Sequence, residues 1–343
     1  MRVVALGGGR GLAVTLTALR LLGVEPTAVV AVADDGGSSG RLRRDLGLLP
    51  PGDLRKAMLA LADPAAEVRE LFAYRFERGD LAGHNLGNLA LAALADLKGG
   101  FMAALGEASR WLGVHGQVLP ATLVPVRLCG RVDGRPVEGQ VAIMTATGRV
   151  ESVWLEPRDP AAVPAAVQAV READLVLLGP GSTFTSVVPN LLVPDLAAAL
   201  VEDPERIVYI CNLEAQPGET TGFAPEAHLA AILAHCPGLR VATVLCQRPR
   251  DAAGAARELE AFAELGAARS AALRSSGAPI SRGGSRGGAE SEPRPRNAPR
   301  TKQAAASRPR TRPPATPKLS RPAPSRTPLS VSTRSTRSAR TSS

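Results

Sequence analysis

The chain has 343 residues, a formal net charge of +9 and a pI near 10.2, a balance that suggests a polyanion binder at first sight. The charge is segregated: residues 267–343 hold 17 basic and 2 acidic side chains, whereas residues 1–266 hold 24 basic and 30 acidic ones. The basicity therefore belongs to a tail, and a nucleic-acid-binding role for the mildly acidic first 266 residues is not supported.

In chain order, residues 3–6 (VVAL) read as a buried strand, followed by GGGRGL and then apolar residues at helical spacing. Residues 27–33 (TAVVAVA) read as a second strand. Residues 63–97 look mainly helical, and FMAALGEASRWLG adds an amphipathic helix. The character changes over residues 117–143, where Asp133-Gly134 is a turn signal between strand-like runs, which predicts an antiparallel insertion at about 117–155. Strand–helix alternation then resumes through DLVLLGPGS, RIVYICN, APEAHLAAILAHC, RVATVLC and a last helix, DAAGAARELEAFAELG. The pattern predicts an α/β, Rossmann-like fold with a doubly wound, mostly parallel sheet and a small antiparallel insertion. In such a sheet ligands bind at the carboxyl ends of strands. Residues 1–266 are read as this domain. Residues 267–343, rich in Arg, Ser and Pro and free of aromatics, are read as a disordered low-complexity tail able to bind polyanions non-specifically.

Cys129, Cys211, Cys236 and Cys246 show no C-x-x-C spacing and read as reduced core cysteines, which fits a cytoplasmic protein. The N-terminus does not read as a signal peptide. The longest uncharged stretch, residues 175–194, is punctuated by Gly-Pro-Gly-Ser and Pro189, so no membrane insertion is expected.

Several strand ends share one chemistry. GGGRGL, with Gly8, Gly9, Arg10 and Gly11, is neither a strict G-x-G-x-x-G nor a P-loop. It is either a tight βα turn or a loop that contacts phosphate. ADDGGSSGR ends the second strand with Asp34, Asp35, Gly36, Gly37, Ser38, Ser39 and Arg41, more groups than a ribose reader needs. Asp35 could hold a metal and Arg41 a phosphate; the alternative is a solvated loop with a helix cap. Asp53 reads as a helix N-cap near that loop. His84, Asn85 and Asn88 surround Gly87 at a helix start, with His84 a candidate for an oxyanion or a base edge. His228 and His235 read as surface residues. Gly179, Gly181 and Ser182 open a second strand–Gly-loop–helix junction that reads as an anion cradle. Asn212 closes a further strand ahead of Gln216 and a Pro-Gly turn. No nucleophile–base pair or metal-spaced Cys/His cluster stands out.

GGGRGL, VADDGGSSGRLRRDLGLLPPGDLR, GHNLGN, LGPGSTFTSVVPNLLVP and CNLEAQPGETTGF, in this order, resemble the YvcK-like gluconeogenesis factors of the CofD-type 2-phospho-L-lactate transferase superfamily over about residues 1–250. The resemblance implies a cytoplasmic bacterial protein that binds a UDP-sugar such as UDP-N-acetylglucosamine (UDP-GlcNAc) and supports cell shape and cell-wall synthesis during gluconeogenic growth. The Gly7–Gly11 and Asp34–Arg41 loops would line its cleft, with the Gly179–Ser182 loop and Asn212 completing it. No cofactor is required on that reading, and a homo-oligomer is expected. The transferase branch instead moves a phospholactyl group to a deazaflavin alcohol with Mg2+, and Asp35 and Asp53 are the matching metal candidates. Two departures stand out. Arg10 replaces a small hydroxyl residue, and the likeness fades after about Gln247, where the tail is either an appendage or a frame-shift product.

Overall fold

Val3–Gly7 forms β1, five successive buried residues, as a strand covered on both faces requires. The computed structural model describes residues 1–247 and the backbone of Arg269–Ser270. After β1 come α1 (Gly9–Leu21), β2 (Thr27–Val30), α2 (Gly37–Leu46), α3 (Gly52–Leu61), α4 (Val68–Ala73), α5 (Leu86–Lys98), α6 (Phe101–Leu112) and β3 (Gln117–Pro120). The small sheet follows, with β4 (Arg127–Val132), β5 (Arg135–Glu138), α7 (Gln140–Met144) and β6 (Val150–Glu156). The chain returns to the main sheet through α8 (Pro164–Glu172), β7 (Leu175–Leu178), a π-helical turn (Thr183–Val187), α9 (Val188–Leu191) and α10 (Pro194–Val201). It continues with β8 (Ile207–Ile210), α11 (Pro225–His235), β9 (Thr243–Leu245) and β10 (Arg269–Ser270).

The main sheet has the order β3-β2-β1-β7-β8-β9-β10, and every pairing is parallel. The order reverses between β1 and β7, so the crevice above their carboxyl ends is the topological switch point. Helices cover the sheet. Leu12 and Leu16 of α1 and Leu54, Met58 and Leu61 of α3 are fully buried with Leu6 and Val29 of the strands. The second sheet, β5-β4-β6, is antiparallel. Asp133 and Gly134 turn the β4–β5 hairpin with φ of 45° and 74°, the pair of positive values a type I′ turn needs and the reason Gly follows Asp there.

The α/β class, the parallel sheet and the antiparallel insertion are as the sequence predicts, while several boundaries differ. Residues 117–120 pair with β2 in the parallel sheet, so the antiparallel sheet starts only at Arg127. The second strand stops at Val30. Residues 37–41, read as part of the Asp34–Arg41 loop, instead open α2, which runs from Gly37 to Leu46. Its glycines and serines are poor helix formers, but Gly40 lies against the Asp35 carbonyl oxygen where a Cβ would collide. Close packing there overrides propensity. The region 63–97 is two helices separated by a bridged turn between Arg75 and Asn85. Arg269–Ser270 adds a strand beyond residue 266. The helix read at 251–266 lies outside the described residues. No single helix among the described residues is long and apolar enough to cross a membrane.

Candidate functional site

A cleft of about 400 Å³ opens at the switch point. Gly8, Gly9, Arg10 and Gly11 line it from the end of β1, Gly181, Ser182 and Ser186 from the end of β7, and Asp34, Asp53 and Lys56 from beside β2. Gln140, Val141 and Met144 of α7 close one wall, and Gln216 reaches in from the segment after β8. The two glycine loops touch. A Cβ on Gly11 would strike the Pro180 carbonyl oxygen and approach the Gly181 Cα to 2.9 Å. The approach explains glycine at position 11, and it brings two strand ends far apart in sequence within one ligand's reach.

The two loops treat their backbone amides differently. No side chain caps the first turn of α1, so its N–H groups and the positive end of a 13-residue helix face the cleft. The second loop has part of its donor set already used, while Gly181 and Ser182 still line the cleft. Gly181 N donates to Asn212 Oδ1 at 2.9 Å, and Phe184 N and Thr185 N donate to Glu219 Oε1 at 2.6 and 3.0 Å. Asn212 thus fixes the loop, returning a bond from Nδ2 to Gly181 O at 2.8 Å. Gly179 is not among the cleft-lining residues.

The ADDGGSSGR motif divides its labour. Consecutive side chains of an extended segment point to opposite sides; Asp34 faces the cleft, whereas the Asp35 carboxylate accepts from Val141 N at 3.0 Å and holds α7. Gly36 N donates to Asp34 Oδ1 at 2.9 Å. Ser38 Oγ lies 3.2 Å from His84 Nδ1 and accepts from Asn85 N, and Ser39 Oγ accepts from Gly52 N at 3.1 Å. Arg41 donates to Ala82 O at 2.8 Å. Gly37 is helical and outside the cleft lining. Ser38, Ser39, Arg41 and Asp35 therefore tie α2 to α3, to the turn before α5 and to the insertion.

Asp53 is not an N-cap: Pro51 holds that position, and the Asp53 carboxylate, in the first turn of α3, takes Lys56 Nζ at 2.9 Å. Asn85 does cap α5, accepting from Asn88 N at 3.2 Å. Asn88 accepts in turn from Arg55 Nε at 2.8 Å. The buried Arg55 guanidinium, held by desolvation at a pKa of about 10, also donates to Phe72 O. His84, Asn85 and Asn88 thus brace the wall beneath the cleft. Burial lowers the His84 pKa, and the charge of Arg41 lowers it further. Of the two histidines expected on the surface, His228 is buried and His235 half-buried. His228 Nδ1 lies 2.7 Å from Thr183 Oγ1, and His235 Nε2 accepts from Val153 N.

Lys56, Gln140, Ser186 and Gln216 complete the cleft beyond the sequence reading. Lys56 carried a signal, since it lies one helical turn from Asp53. Ser186 sits in the π-helical turn after the second glycine loop, Gln140 in an inserted helix and Gln216 in an irregular segment, and none has a spacing that marks it as a cleft residue. Burial, and next the charge of Asp53, raise the Asp34 pKa above 3.8. The folded state therefore binds that proton more tightly than the unfolded chain; the stabilisation is complete below pH 3.8 and is lost as pH rises through the folded-state value. Asp34→Asn should consequently melt above the wild type at pH 7, with the gap closing towards about pH 4. Thermal melts across that range check this, and a lower neutral-pH melting temperature for the variant would refute it.

A Rossmann-type sheet with a glycine-loop helix at its switch point defines an α/β protein of the doubly wound class. The chain belongs to the CofD family: residues 3–275 match the family described as 2-phospho-L-lactate transferase CofD. It is 45% identical over 236 residues to the gluconeogenesis factor of Bacillus subtilis, covering 68% of this chain and 74% of that protein. A Nostoc relative is 48% identical over 237 residues, and there the match covers 52% of the relative's length. A crystal structure of a UPF0052 family member from Bacillus halodurans superposes with a TM-score of 0.71 at 40% identity, over 78% of this chain and 90% of that one.

Proposed function

We propose that the chain binds a nucleotide sugar of the UDP-GlcNAc type in the switch-point cleft and acts as a regulator of cell shape and cell-wall synthesis under gluconeogenic growth. The observation that carries the reading is the uncapped first turn of α1 beside Arg10 and Lys56. Free amide donors, a helix dipole and two cations suit a diphosphate. The similarity to a protein named gluconeogenesis factor supports the regulatory part.

The Asp34–Asp53 pair favours a second reading, a phospholactyl-type transferase. These two carboxylates line one cleft, and burial first, then the charge of Asp53, raises the Asp34 pKa. Hard oxygen donors crowded in this way suit Mg2+, which takes one or two carboxylates and completes its shell with water and substrate phosphates. The pair replaces the Asp35–Asp53 pair read from sequence, because the Asp35 carboxylate is engaged with α7. Asp34 and Asp53 would hold the ion, which would neutralise charge on a transferring phosphoryl group. Lys56 would then exchange its bond to Asp53 for a phosphate.

Calorimetric titration of the full chain separates the two readings. Heat with UDP-GlcNAc in the absence of magnesium is expected. No heat with the UDP-sugar, together with magnesium-dependent binding of GDP, would overturn the first reading in favour of the second.

A further inference from the structure

Helix α1 is apolar on two sides. Leu12, Thr15 and Leu16 are its buried face. A second stripe, Ala13, Val14, Thr17, Ala18 and Leu21, falls on the opposite side. Val14 is 66% and Leu21 73% exposed, and Thr17 donates its hydroxyl to Ala13 O at 2.9 Å. The outer face of a surface helix is ordinarily polar. Here α1 has two charged residues, Arg10 and Arg20. Arg20 is tied to α3, its Nε donating to Ala60 O at 3.1 Å.

Leu59 and Ala60 of α3 complete a groove of about 550 Å³ along this stripe. Among the described residues three cations line it, Arg10, Lys56 and Arg69, and no acidic side chain does. Arg10 and Lys56 also line the switch-point cleft. The groove therefore adjoins the cleft at the positive end of α1 and follows the helix for about 16 Å, the rise from Arg10 to Leu21.

This layout decides what fits. Ten residues line the groove, fewer than the roughly 20–30 a side of a stable protein interface. Its volume lies in the range of small-molecule sites, roughly 300–1,000 Å³. Residues 267–343, with 17 basic and 2 acidic side chains, have the wrong charge for a site lined by three cations. A small molecule that suits both ends has an anionic head for Arg10, Lys56 and the α1 amides, and an aliphatic chain for the stripe.

We propose that the groove binds an amphiphilic diphosphate, its phosphates at Arg10 and Lys56 and a single aliphatic chain of about 16 Å lying along α1. The site goes beyond the nucleotide-sugar reading and shares with it only the phosphate position, so the two ligands exclude each other.

The experiment titrates the full-length wild type and Val14→Glu with farnesyl diphosphate, inorganic diphosphate and UDP-GlcNAc, and measures melting temperature and oligomeric state without ligand. Farnesyl diphosphate should bind the wild type about tenfold or more tighter than inorganic diphosphate, a gain that burial of about two methylene groups already supplies. UDP-GlcNAc should displace it. In Val14→Glu the gain should vanish, with UDP-GlcNAc affinity, melting temperature and oligomeric state unchanged, because Val14 is exposed and outside the cleft lining. Equal affinity of the wild type for the two diphosphates overturns the proposal, and so does simultaneous binding of farnesyl diphosphate and UDP-GlcNAc. A Val14→Glu variant that keeps the gain, melts lower or changes its oligomeric state overturns it too; the last two outcomes mean that this chain's own residues or a second copy cover the groove. Failure of UDP-GlcNAc to bind the wild type overturns the nucleotide-sugar reading alone, and the two diphosphates still decide the groove.

Discussion

Gly11→Ala is expected to abolish ligand binding and to cost the fold about 1–3 kcal/mol, the usual range for forcing atoms into a closed packing site. The new Cβ would collide with the Pro180 carbonyl oxygen and lie 2.9 Å from the Gly181 Cα. Both obstacles are backbone, so no rotamer change relieves them. Gly181 is in turn held to Asn212 by two hydrogen bonds, and the second loop is bolted to Glu219. The β1 loop must therefore yield, carrying the amides of the first turn of α1 away from the cleft. Gly106→Ala is the matched control. It lies in α6, and a Cβ there meets nothing within 4 Å, so helix propensity alone should act and raise stability by up to about 1 kcal/mol. Urea unfolding and titration with UDP-GlcNAc of both variants check the pair. Retained binding by Gly11→Ala would show that contact between the two loops is not what shapes the site.

Which parts of this arrangement can be read in the sequence follows from how local each signal is. The runs VVAL and LVLL are apolar at every position because both faces of a parallel sheet are covered, and they locate β1 and β7 without other help. The glycine loops after them are visible for the same reason. The Asn85 cap is legible because its partner is three residues away. What stays hidden depends on distant partners. Nothing in ADDGGSSGR says that Asp34 faces a ligand while Asp35 holds a helix 106 residues on. Alternation in an extended segment makes the two point apart but does not say which points where. Likewise His228 and His235 lie on a helix of unremarkable polarity, and only Thr183 and Val153, at 45 and 82 residues' distance, reveal them as interior hydrogen-bonding groups. The amides of Phe184 and Thr185, just after GPGST, look free in sequence, and it takes Glu219 folding back from 35 and 34 residues away to fill them.

That filling makes Glu219→Ala the second large effect, a loss of about 2–5 kcal/mol. The carboxylate is 4% exposed and is the acceptor for two amide N–H groups and the Thr185 hydroxyl, with Ser182 as a further donor. Alanine would leave these donors buried without partners, and each unsatisfied group carries its own desolvation penalty. Glu219→Gln should recover most of the loss. One amide oxygen can still accept from Phe184 and Thr185, and the Thr185 hydroxyl can turn from donor to acceptor. Burial also raises the Glu219 pKa above 4.5. The folded state then binds the proton more tightly, so this group's contribution is complete below pH 4.5 and declines as pH rises through the folded-state value. Removing the charge with glutamine should therefore flatten that part of the stability–pH curve, and the glutamine variant should gain on the wild type as pH rises. Urea unfolding of the three proteins between about pH 4 and 8 measures both effects. If glutamine proves as damaging as alanine at every pH, the charge rather than the hydrogen-bond geometry holds the loop. Because Glu219 also anchors the turn that carries the cleft-lining Gln216, the alanine variant should bind UDP-GlcNAc more weakly than its residual folded fraction accounts for.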